Sequence, residues 1–518
     1  MERALYGTGV IAGVVGLGAG LAVAELAAGL LPGAPSPVVA VGQTVIDGAP
    51  PALKEWAISN LGTANKPVLL AGTVIVLVAI ASVAGMLAVA GRRRHAITIA
   101  GVIGAVGVLA VLDRPTSSPG HVVPTIVGTA VTMGVLWWLP TRLVPITRAD
   151  AEPVEPVEPV EPMGLDRRGF VRGSAAIGVA AAAVGGLGRL LQARSAIGDE
   201  RATLVLPGPG EPATLPANAE LGVDGLTTFV TPTDGFFRID TAFTVPQVSA
   251  DEWRLRVHGM VDREIELSFD DLLSRQQIER YITISCVSNE VGGGLVGTAR
   301  WQGVRLADVL RDAGVDPAAE QLVSRSVDGW TCGTPVEAAT DGRDALLAIA
   351  MNGEPLPDRH GYPVRMVVPG LFGYVSATKW VTELELTTWD AFDAYWVPRG
   401  WAERGPVKTM TRIDRPRGGS SHGDGVVDIG GVAWAVHRGI SAVEIRLDDG
   451  PWVECELGGV PSDDTWRQWH HRWEATPGDH VVEARAIDGS GEVQPSEPRP
   501  PAPDGAQGYH RVRFTVNG

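Results

Sequence analysis

Long apolar runs dominate residues 1–191, whereas the rest of the chain alternates apolar and polar positions over short stretches. Four runs, at 4–31, 67–91, 96–112 and 122–139, have the ~20 apolar residues that a helix needs to cross a bilayer. A fifth run, at 169–191, is weaker because it consists mostly of Ala and Gly. The pattern predicts an N-terminal all-α membrane region with five spans.

Clustered arginines orient these spans. Three consecutive arginines occupy 92–94, between the second and third runs. Four more, Arg142, Arg148, Arg167 and Arg168, lie between the fourth and fifth runs. Loops rich in Lys and Arg stay in the cytoplasm. We therefore expect a multi-pass protein of the cell membrane, with everything after the fifth span on the extracytoplasmic side.

The boundary between the fourth and fifth spans carries two further signals. After a four-span domain at 1–145 comes a Pro/Glu-rich cytoplasmic linker at 146–166. It contains a repeat of Glu-Pro-Val at 152–162, whose regular prolines favour a stiff polyproline II spacer. The fifth span, at 167–192, begins with Arg167 and Arg168 followed by Gly-Phe, which resembles a twin-arginine export signal. The alternative is a pair of arginines that only fixes the topology.

One acidic residue interrupts the first apolar run. A carboxylate at Glu25 inside a bilayer could serve a proton or quinone path, since such residues are rare and often functional. Glu25 is also close enough to the end of the run for its side chain to reach the interface. Both interpretations stay open.

The region 220–400 mixes strand and helix patterns and predicts an α+β domain. Alternation at 253–259 and 281–286 predicts strands, the second of which enters a glycine-rich loop at 287–297. Ser268 precedes a helical pattern as an N-cap should, and 301–314 reads as a helix with one apolar face.

The region 410–518 alternates apolar and polar residues in short runs at 441–447, 480–487 and 510–516. Turn residues separate these runs, as in a β-sandwich. The chain's net charge of −16 comes from the part after residue 191, so nucleic acid is not an expected partner.

Three cysteines, Cys286, Cys332 and Cys455, are too few and too scattered for a disulfide framework. No CxxC pair, zinc ligand set or CxxCH haem attachment site occurs. Considered alone, each cysteine is most simply a small buried apolar residue.

A combination of motifs between 229 and 393 resembles the molybdopterin-binding domain of the sulfite oxidase family. The matching pieces are Phe-Phe-Arg at 236–238, Thr-Ile-Ser-Cys-Val-Ser-Asn at 283–289, Trp-Gln-Gly-Val at 301–304, Asn-Gly-Glu-Pro-Leu-Pro at 352–357, His-Gly-Tyr-Pro-Val-Arg at 360–365 and Val-Pro-Gly at 368–370. By the same resemblance, the last segment is similar to the family's immunoglobulin-like dimerisation domain.

The resemblance implies roles for particular residues. Cys286 becomes the protein's ligand to molybdenum, and a thiolate is a soft donor suited to such a centre. Arg238 becomes a residue of the anionic substrate pocket. The cofactor-binding set becomes Asn289, His360, Arg365, Gly373, Tyr374, Ser376 and Lys379.

Three departures from the family's pattern concern the substrate. Asn289 is followed by Glu290 and Val291, where a second substrate arginine is usual in sulfite oxidases. Trp330 stands where the family has an active-site tyrosine, and Asp240 replaces a histidine. A smaller and more negative pocket is expected to bind sulfite poorly.

The prediction is a membrane-anchored, molybdenum cofactor-dependent oxidoreductase that transfers an oxygen atom to or from a small oxo substrate. No haem or iron–sulfur ligand set appears in the sequence, so electrons should pass to an external c-type cytochrome or a quinone. A homodimer is expected through the C-terminal domain. The alternatives are sulfite oxidase proper, and a non-catalytic exported binding or scaffold module on a membrane anchor.

Overall fold

The structure, a computed structural model, describes residues 2–31, 34–50, 53, 65–114, 118–143, 167–193, 197–242 and 245–518. The chain forms two compact units, one containing Met1–Ser195 and Ala242–Thr244, the other containing Ala196–Thr241 and Val245–Gly518. The Glu-Pro-Val linker predicted at 146–166 lies outside the described residues.

The first unit is helical. Its helices are α1 (Glu2–Leu30), α2 (Pro37–Gly48), α3 (Asn65–Val89), α4 (Arg93–Leu112), α5 (Val123–Trp138) and α6 (Arg167–Ala193). Five segments are long and apolar enough to cross a membrane: Tyr6–Leu30, Val68–Val89, Arg93–Leu112, Pro119–Thr141 and Phe170–Leu187. The expected five apolar helices are therefore confirmed. The short helix α2 was not expected, because its apolar stretch is below spanning length.

Helix α1 is the centre of this unit and packs against α3, α5 and α6. Glycines allow the helix backbones to approach closely, as small residues do between membrane helices. A Cβ atom at Gly13 would lie 1.9 Å from the carbonyl oxygen of Ala81 in α3. At Gly20 it would lie 2.5 Å from the carbonyl oxygen of Gly128 in α5.

The second unit begins with α7 (Ile197–Thr203) and continues into two five-stranded sheets. The first sheet has the spatial order β2 (Ile265–Ser268), β1 (Arg254–Gly259), β10 (Val381–Thr387), β5 (Gln321–Ser326), β6 (Thr331–Pro335). The second contains β3 (Ile278–Ser285), β4 (Val296–Arg305), β7 (Leu346–Met351), β8 (Glu354–Pro355) and β9 (Arg365–Val367), with β9 paired to β7. Their short helices are α8 (Phe269–Ser274), α9 (Leu306–Ala313) and α10 (Val336–Thr340).

One element in this domain differs from its prediction. The residues at 301–305 are not helical, because they extend β4 and pair with β7 from Trp301↔Met351 to Arg305↔Leu346. Helix α9 begins only at Leu306, and its apolar face is buried as expected. The N-cap at Ser268 is confirmed, since its hydroxyl accepts a hydrogen bond from the backbone N–H of Asp271.

The C-terminal region consists of two sheets that share one core. The first sheet contains β11 (Met410–Arg415), β13 (Gly425–Trp434), β17 (Arg467–Ala475) and β16 (Glu456–Leu457). The second contains β12 (Ser421–His422), β19 (His510–Val516), β18 (Gly478–Asp488), β14 (Ile440–Leu447) and β15 (Val453–Glu454). Ile429 of the first sheet and Val443, Val482 and Phe514 of the second belong to this core.

The C-terminal sheets also support β3 of the preceding domain. The backbone N–H of Thr283 donates to the carbonyl oxygen of Asp464 at 2.9 Å, and the hydroxyl of Thr283 accepts from the N–H of Trp466 at 2.7 Å. Arg412 of β11 donates to the carbonyl oxygen of Gly293 at 3.1 Å. Both ends of the loop that follows β3 are therefore tied to the C-terminal region.

We predict that Gly13→Ala destabilises the helical unit by roughly 2–4 kcal/mol, because the new methyl group meets the backbone of α3. Gly18→Ala is the matched control on α1, since nothing lies within 4 Å of a Cβ atom at Gly18. Its effect should stay within about 1 kcal/mol and favour the helix. Thermal unfolding of the full chain in nanodiscs measures both, and equal effects of the two substitutions would contradict this packing.

Candidate functional site

Cys286 lies directly after β3, at the start of a loop that closes on itself. Its backbone N–H donates to the carbonyl oxygen of Leu295 at 2.9 Å, and its own carbonyl oxygen accepts from the N–H of Asn289 at 3.1 Å. The side-chain oxygen of Asn289 accepts from the N–H of Leu295 at 2.8 Å. Asn289 thus fixes the loop that presents Cys286.

The three thiols differ in their surroundings, although none is in a disulfide. Cys286 is partly exposed, whereas Cys332 and Cys455 are buried. Burial raises the pKa of Cys332 to about 11 and that of Cys455 to about 12. The pKa of Cys286 is also raised by desolvation, but hydrogen bonds from Ser288 and the charge of Lys379 oppose this shift. Among the three, Cys286 has the cationic neighbour and the access that a ligand or reactive group needs.

Arg365, the first residue of β9, is a buried cation. One of its Nη atoms donates to the carbonyl oxygen of His360 at 3.1 Å, and its guanidinium carbon lies 4.8 Å from the ring centroid of Trp301. Its Nε is buried without a hydrogen-bond partner. Within the described residues no carboxylate pairs with it, and burial lowers its pKa to about 9.

His360 is held beside Arg365 as a neutral imidazole. Its Nε2 lies 3.2 Å from the carbonyl oxygen of Thr233, and the ring of Phe236 meets it edge-on. Burial, followed by the charges of Arg365 and Lys379, lowers the pKa of His360 to about 3. Thr233 was not predicted from the sequence, because it belongs to no motif.

Gly361 allows the segments that carry Arg365 and Lys379 to approach each other closely. Its φ of +111° is one that other residues rarely adopt. A Cβ atom there would lie 3.1 Å from the Cβ of Arg365 and from the Cα of Lys379. Any larger residue at this position would push these two side chains apart.

Lys379, Asp240 and Arg238 form one ion-pair group. The Nζ of Lys379 and the Nε of Arg238 each lie 2.8 Å from the same carboxylate oxygen of Asp240. The side chains of Lys379 and Asp240 are only 11% and 7% exposed, while that of Arg238 is 36% exposed. Burial lowers the pKa of Lys379 to about 8, although Asp240 opposes the shift. Asp240 therefore neutralises cations of the site instead of adding an uncompensated charge.

Trp330 and Asp328 lie on the turn between β5 and β6. The N–H of Trp330 donates to the carboxylate of Asp328 at 3.2 Å, and the N–H of Val327 donates to the carbonyl oxygen of Trp380 at 3.0 Å. The bond from Val327 holds the turn beside Trp380, which directly follows Lys379 in the sequence. Burial raises the pKa of Asp328, and the charge of Asp240 raises it further. Asp328 was missed in the sequence because no motif surrounds it.

The segment with Gly373, Tyr374 and Ser376 adjoins β3, since a Cβ atom at Gly373 would lie 3.7 Å from the carbonyl oxygen of Ser285. Its hydroxyl groups already have partners. The hydroxyl of Tyr374 donates to the carbonyl oxygen of Ala402 at 2.6 Å, and that of Ser376 bonds two carbonyl oxygens of its own turn. This segment would therefore contact a bound cofactor mainly through its backbone groups.

A second group with metal-ligand chemistry lies on the first sheet. Ligand atoms of His258, Glu383 and Glu385 come within 4.8 Å of one another. Arg325 donates hydrogen bonds to both carboxylates, and His258 lies 2.6 Å from Glu383. Arg325 already supplies the positive charge that a metal ion would bring, so we read this group as an ion-pair network.

Comparison with known proteins identifies the class. Residues 242–396 match the family described as oxidoreductase molybdopterin binding domain. An uncharacterized oxidoreductase, YuiH, of Bacillus subtilis (strain 168) is 35% identical over 154 residues, which cover 30% of this chain and 74% of that protein. The chain thus contains a molybdopterin-binding domain of the oxidoreductase type.

Sulfite oxidases are among the relatives. The mitochondrial sulfite oxidase of Rattus norvegicus is 30% identical over 335 residues, which cover 55% of this chain and 61% of that protein. The crystal structure of the sulfane dehydrogenase SoxCD from Paracoccus pantotrophus superimposes with a TM-score of 0.47 and 26% identity, covering 52% of this chain and 76% of that one. The chain belongs to the sulfite oxidase family of molybdopterin oxidoreductases, and it spans about three fifths of the length of the mammalian sulfite oxidases that it matches.

The depressed pKa of His360 predicts a pH-dependent stability of the cofactor-free protein. Between pH 6.5 and about 3 the unfolded chain binds a proton at this site that the folded chain does not. Stability is therefore lost as the pH falls through this window, by up to about 1.4 kcal/mol per pH unit. His360→Gln should flatten this slope in unfolding experiments from pH 7 to 4. His437→Gln, which removes an exposed imidazole, is the control; parallel curves for wild type and His360→Gln would refute the prediction.

Proposed function

We propose that this protein is a membrane-anchored oxidoreductase that holds a molybdenum cofactor between Cys286 and Arg365. The observation that carries the proposal is the guanidinium of Arg365, which is buried with an unpartnered Nε. A buried charge without a counter-ion is costly to keep. An anionic ligand with phosphate oxygens would supply both the missing charge and the missing hydrogen-bond acceptor.

The donor set fits such a cofactor. Cys286 offers a soft sulfur on a residue that is not fully buried, and soft thiolates suit such a metal centre. Arg365, Lys379 and neutral His360 supply hydrogen bonds and positive charge for the pterin and its phosphate, with backbone groups near Gly373 alongside. When bound, the cofactor supplies oxygen-atom transfer coupled to a two-electron redox change.

We assign Arg238, Trp330 and Asp240 to the substrate pocket of this proposed enzyme. Arg238 lies at the exposed end and would orient the oxo group of a substrate, while Trp330 would form an apolar wall. Asp240 holds Arg238 and Lys379 through one carboxylate oxygen, which reduces the positive charge available to a dianion. This charge balance favours a neutral or singly charged oxo compound, such as an organic sulfoxide or N-oxide.

Two alternatives make different demands on the site. Sulfite oxidase proper requires excess positive charge for a dianionic substrate, which the Asp240 ion pairs oppose. A non-catalytic scaffold gains nothing from a buried arginine whose Nε has no hydrogen-bond partner. Stoichiometric molybdenum in the purified protein separates the scaffold from both enzymes.

The five apolar helices and the arginine distribution support an anchor in the cell membrane with the catalytic domain outside the cytoplasm. A twin-arginine route of export, an immunoglobulin-like dimerisation domain and a separate electron carrier belong to the same proposal. Protease added to intact spheroplasts should digest the sheet-containing unit while sparing cytoplasmic controls. Protection of that unit would reverse the proposed orientation.

We predict that Cys286→Ser abolishes turnover and leaves the fold intact, because one oxygen-for-sulfur change in a loop removes the ligand at little cost in stability. Cys455→Ser is the control, since that thiol is buried in the C-terminal region. Steady-state assays and thermal unfolding of the purified proteins give both readouts. Full activity of a well-folded Cys286→Ser protein would eliminate the metal-ligand role.

We further predict that sulfite is not the best substrate. Among sulfite, sulfoxides, N-oxides and nitrate, a less charged compound should have the highest kcat/KM at neutral pH. Asp240→Asn should shift the preference toward sulfite, because it removes the charge that neutralises Arg238 and Lys379. The prediction fails if sulfite exceeds every other compound by about tenfold in the wild-type protein, roughly 1.4 kcal/mol of transition-state binding.

A further inference from the structure

The helical unit contains a cavity of about 100 Å³ between α1, α2, α3, α4 and α5. Apart from three threonines of α5, every residue that lines it is apolar or a glycine. An apolar cavity of roughly 150 Å³ stays dry and binds benzene. This cavity therefore has room for part of a small ring or a short alkyl segment, and its lining disfavours bulk water.

One hydroxyl group in the lining lacks a partner. Thr129 and Thr132 donate to carbonyl oxygens of their own helix, at 2.7 and 3.0 Å. The side-chain oxygen of Thr125 is buried and makes no hydrogen bond, and Thr125 is only 4% exposed. An unsatisfied hydroxyl in an apolar environment costs free energy, so a hydrogen-bond acceptor placed in the cavity is favoured.

A carboxylate lies next to the same cavity. Glu25 directly follows the lining residue Ala24, and it accepts a hydrogen bond from the hydroxyl of Ser36, which directly precedes the lining residue Pro37. The contact ties the end of α1 to the start of α2. Glu25 is thus engaged within the protein at the edge of the cavity, and an acidic residue within a membrane helix marks a functional region by default.

We propose that this cavity receives one carbonyl-bearing edge of the ring of a membrane quinone, with the hydroxyl of Thr125 donating to that carbonyl oxygen. The inference rests on the proposed function, which requires an electron carrier from outside the chain. Quinones are lipid-soluble electron carriers whose ring bears carbonyl oxygens. The apolar part of such a molecule suits the apolar lining, and its carbonyl oxygen can accept a hydrogen bond from Thr125.

Other occupants fit less well. A lipid acyl chain fills apolar space but leaves the hydroxyl of Thr125 unpaired. A water molecule needs two to four polar partners, and the lining offers three threonine hydroxyls, of which only that of Thr125 still has its proton to donate. A ring carbonyl needs only the single donor that is present.

The test uses a photoreactive azido derivative of a short-chain ubiquinone, cross-linked to the full-length protein in nanodiscs and mapped by peptide mass spectrometry. Cross-links should fall on the five helices that line the cavity and disappear with excess decylubiquinone. Squalene, an isoprenoid hydrocarbon without carbonyl groups, should not compete. Cross-links outside the helices that line the cavity, or equal competition by squalene, would overturn the proposal.

Three variants refine the test. Thr125→Val keeps the shape and removes the hydroxyl, so the half-competing concentration of decylubiquinone should rise about five- to tenfold. Ile103→Trp fills the cavity and should abolish specific cross-linking. Thr98→Val, at an exposed threonine of α4, should behave as wild type. Wild-type competition in Thr125→Val and Ile103→Trp would contradict the proposal.

The readout is independent of turnover and of the metal site. Quinone binding by a preparation that lacks molybdenum would count against the proposed function and leave the cavity's assignment standing. A molybdenum-loaded, active protein that shows no specific cross-linking would overturn the quinone site alone.

Discussion

A positive charge without a counter-ion is the constraint around which the catalytic domain is organised. Arg365 is buried with an unpartnered Nε, and its surroundings compensate only in part, through the carbonyl oxygen of His360 and the face of Trp301. The imidazole of His360 stays neutral beside it, and Gly361 allows Lys379 to come close. Such an arrangement is poor for stability alone and becomes favourable once an anion fills it.

The C-terminal region contributes to this site from outside the catalytic domain. It bonds β3 at Thr283 and the following loop at Gly293, which are the two supports on either side of Cys286. The position of the thiol therefore depends on contacts between segments far apart in sequence. Removal of the C-terminal sheets would release the loop as well as any dimer contact.

The sequence predicted what depends on local pattern or on contiguous motifs. Apolar length identified the five helices, side-chain capping identified Ser268, and the motifs around Cys286 and 360–365 identified the family. Features that depend on pairing between distant strands could not be predicted in this way. The residues at 301–305 continue the helical pattern of α9, but pairing with β7 makes them part of strand β4. The same holds for the site, where Asp240 was expected to add negative charge, but its two ion pairs are visible only in three dimensions.

We propose that the buried charge of Arg365 holds the cofactor, and the substitution Arg365→Met removes that charge. Molybdenum and pterin are measured per chain in wild-type and variant proteins, and thermal stability is measured for both after production without cofactor. Wild type should contain about one of each per chain, and the variant neither. The cofactor-free variant should be as stable as cofactor-free wild type or more so, because an uncompensated buried charge is gone. Full cofactor content in Arg365→Met, or a wild-type protein without molybdenum, would contradict the account.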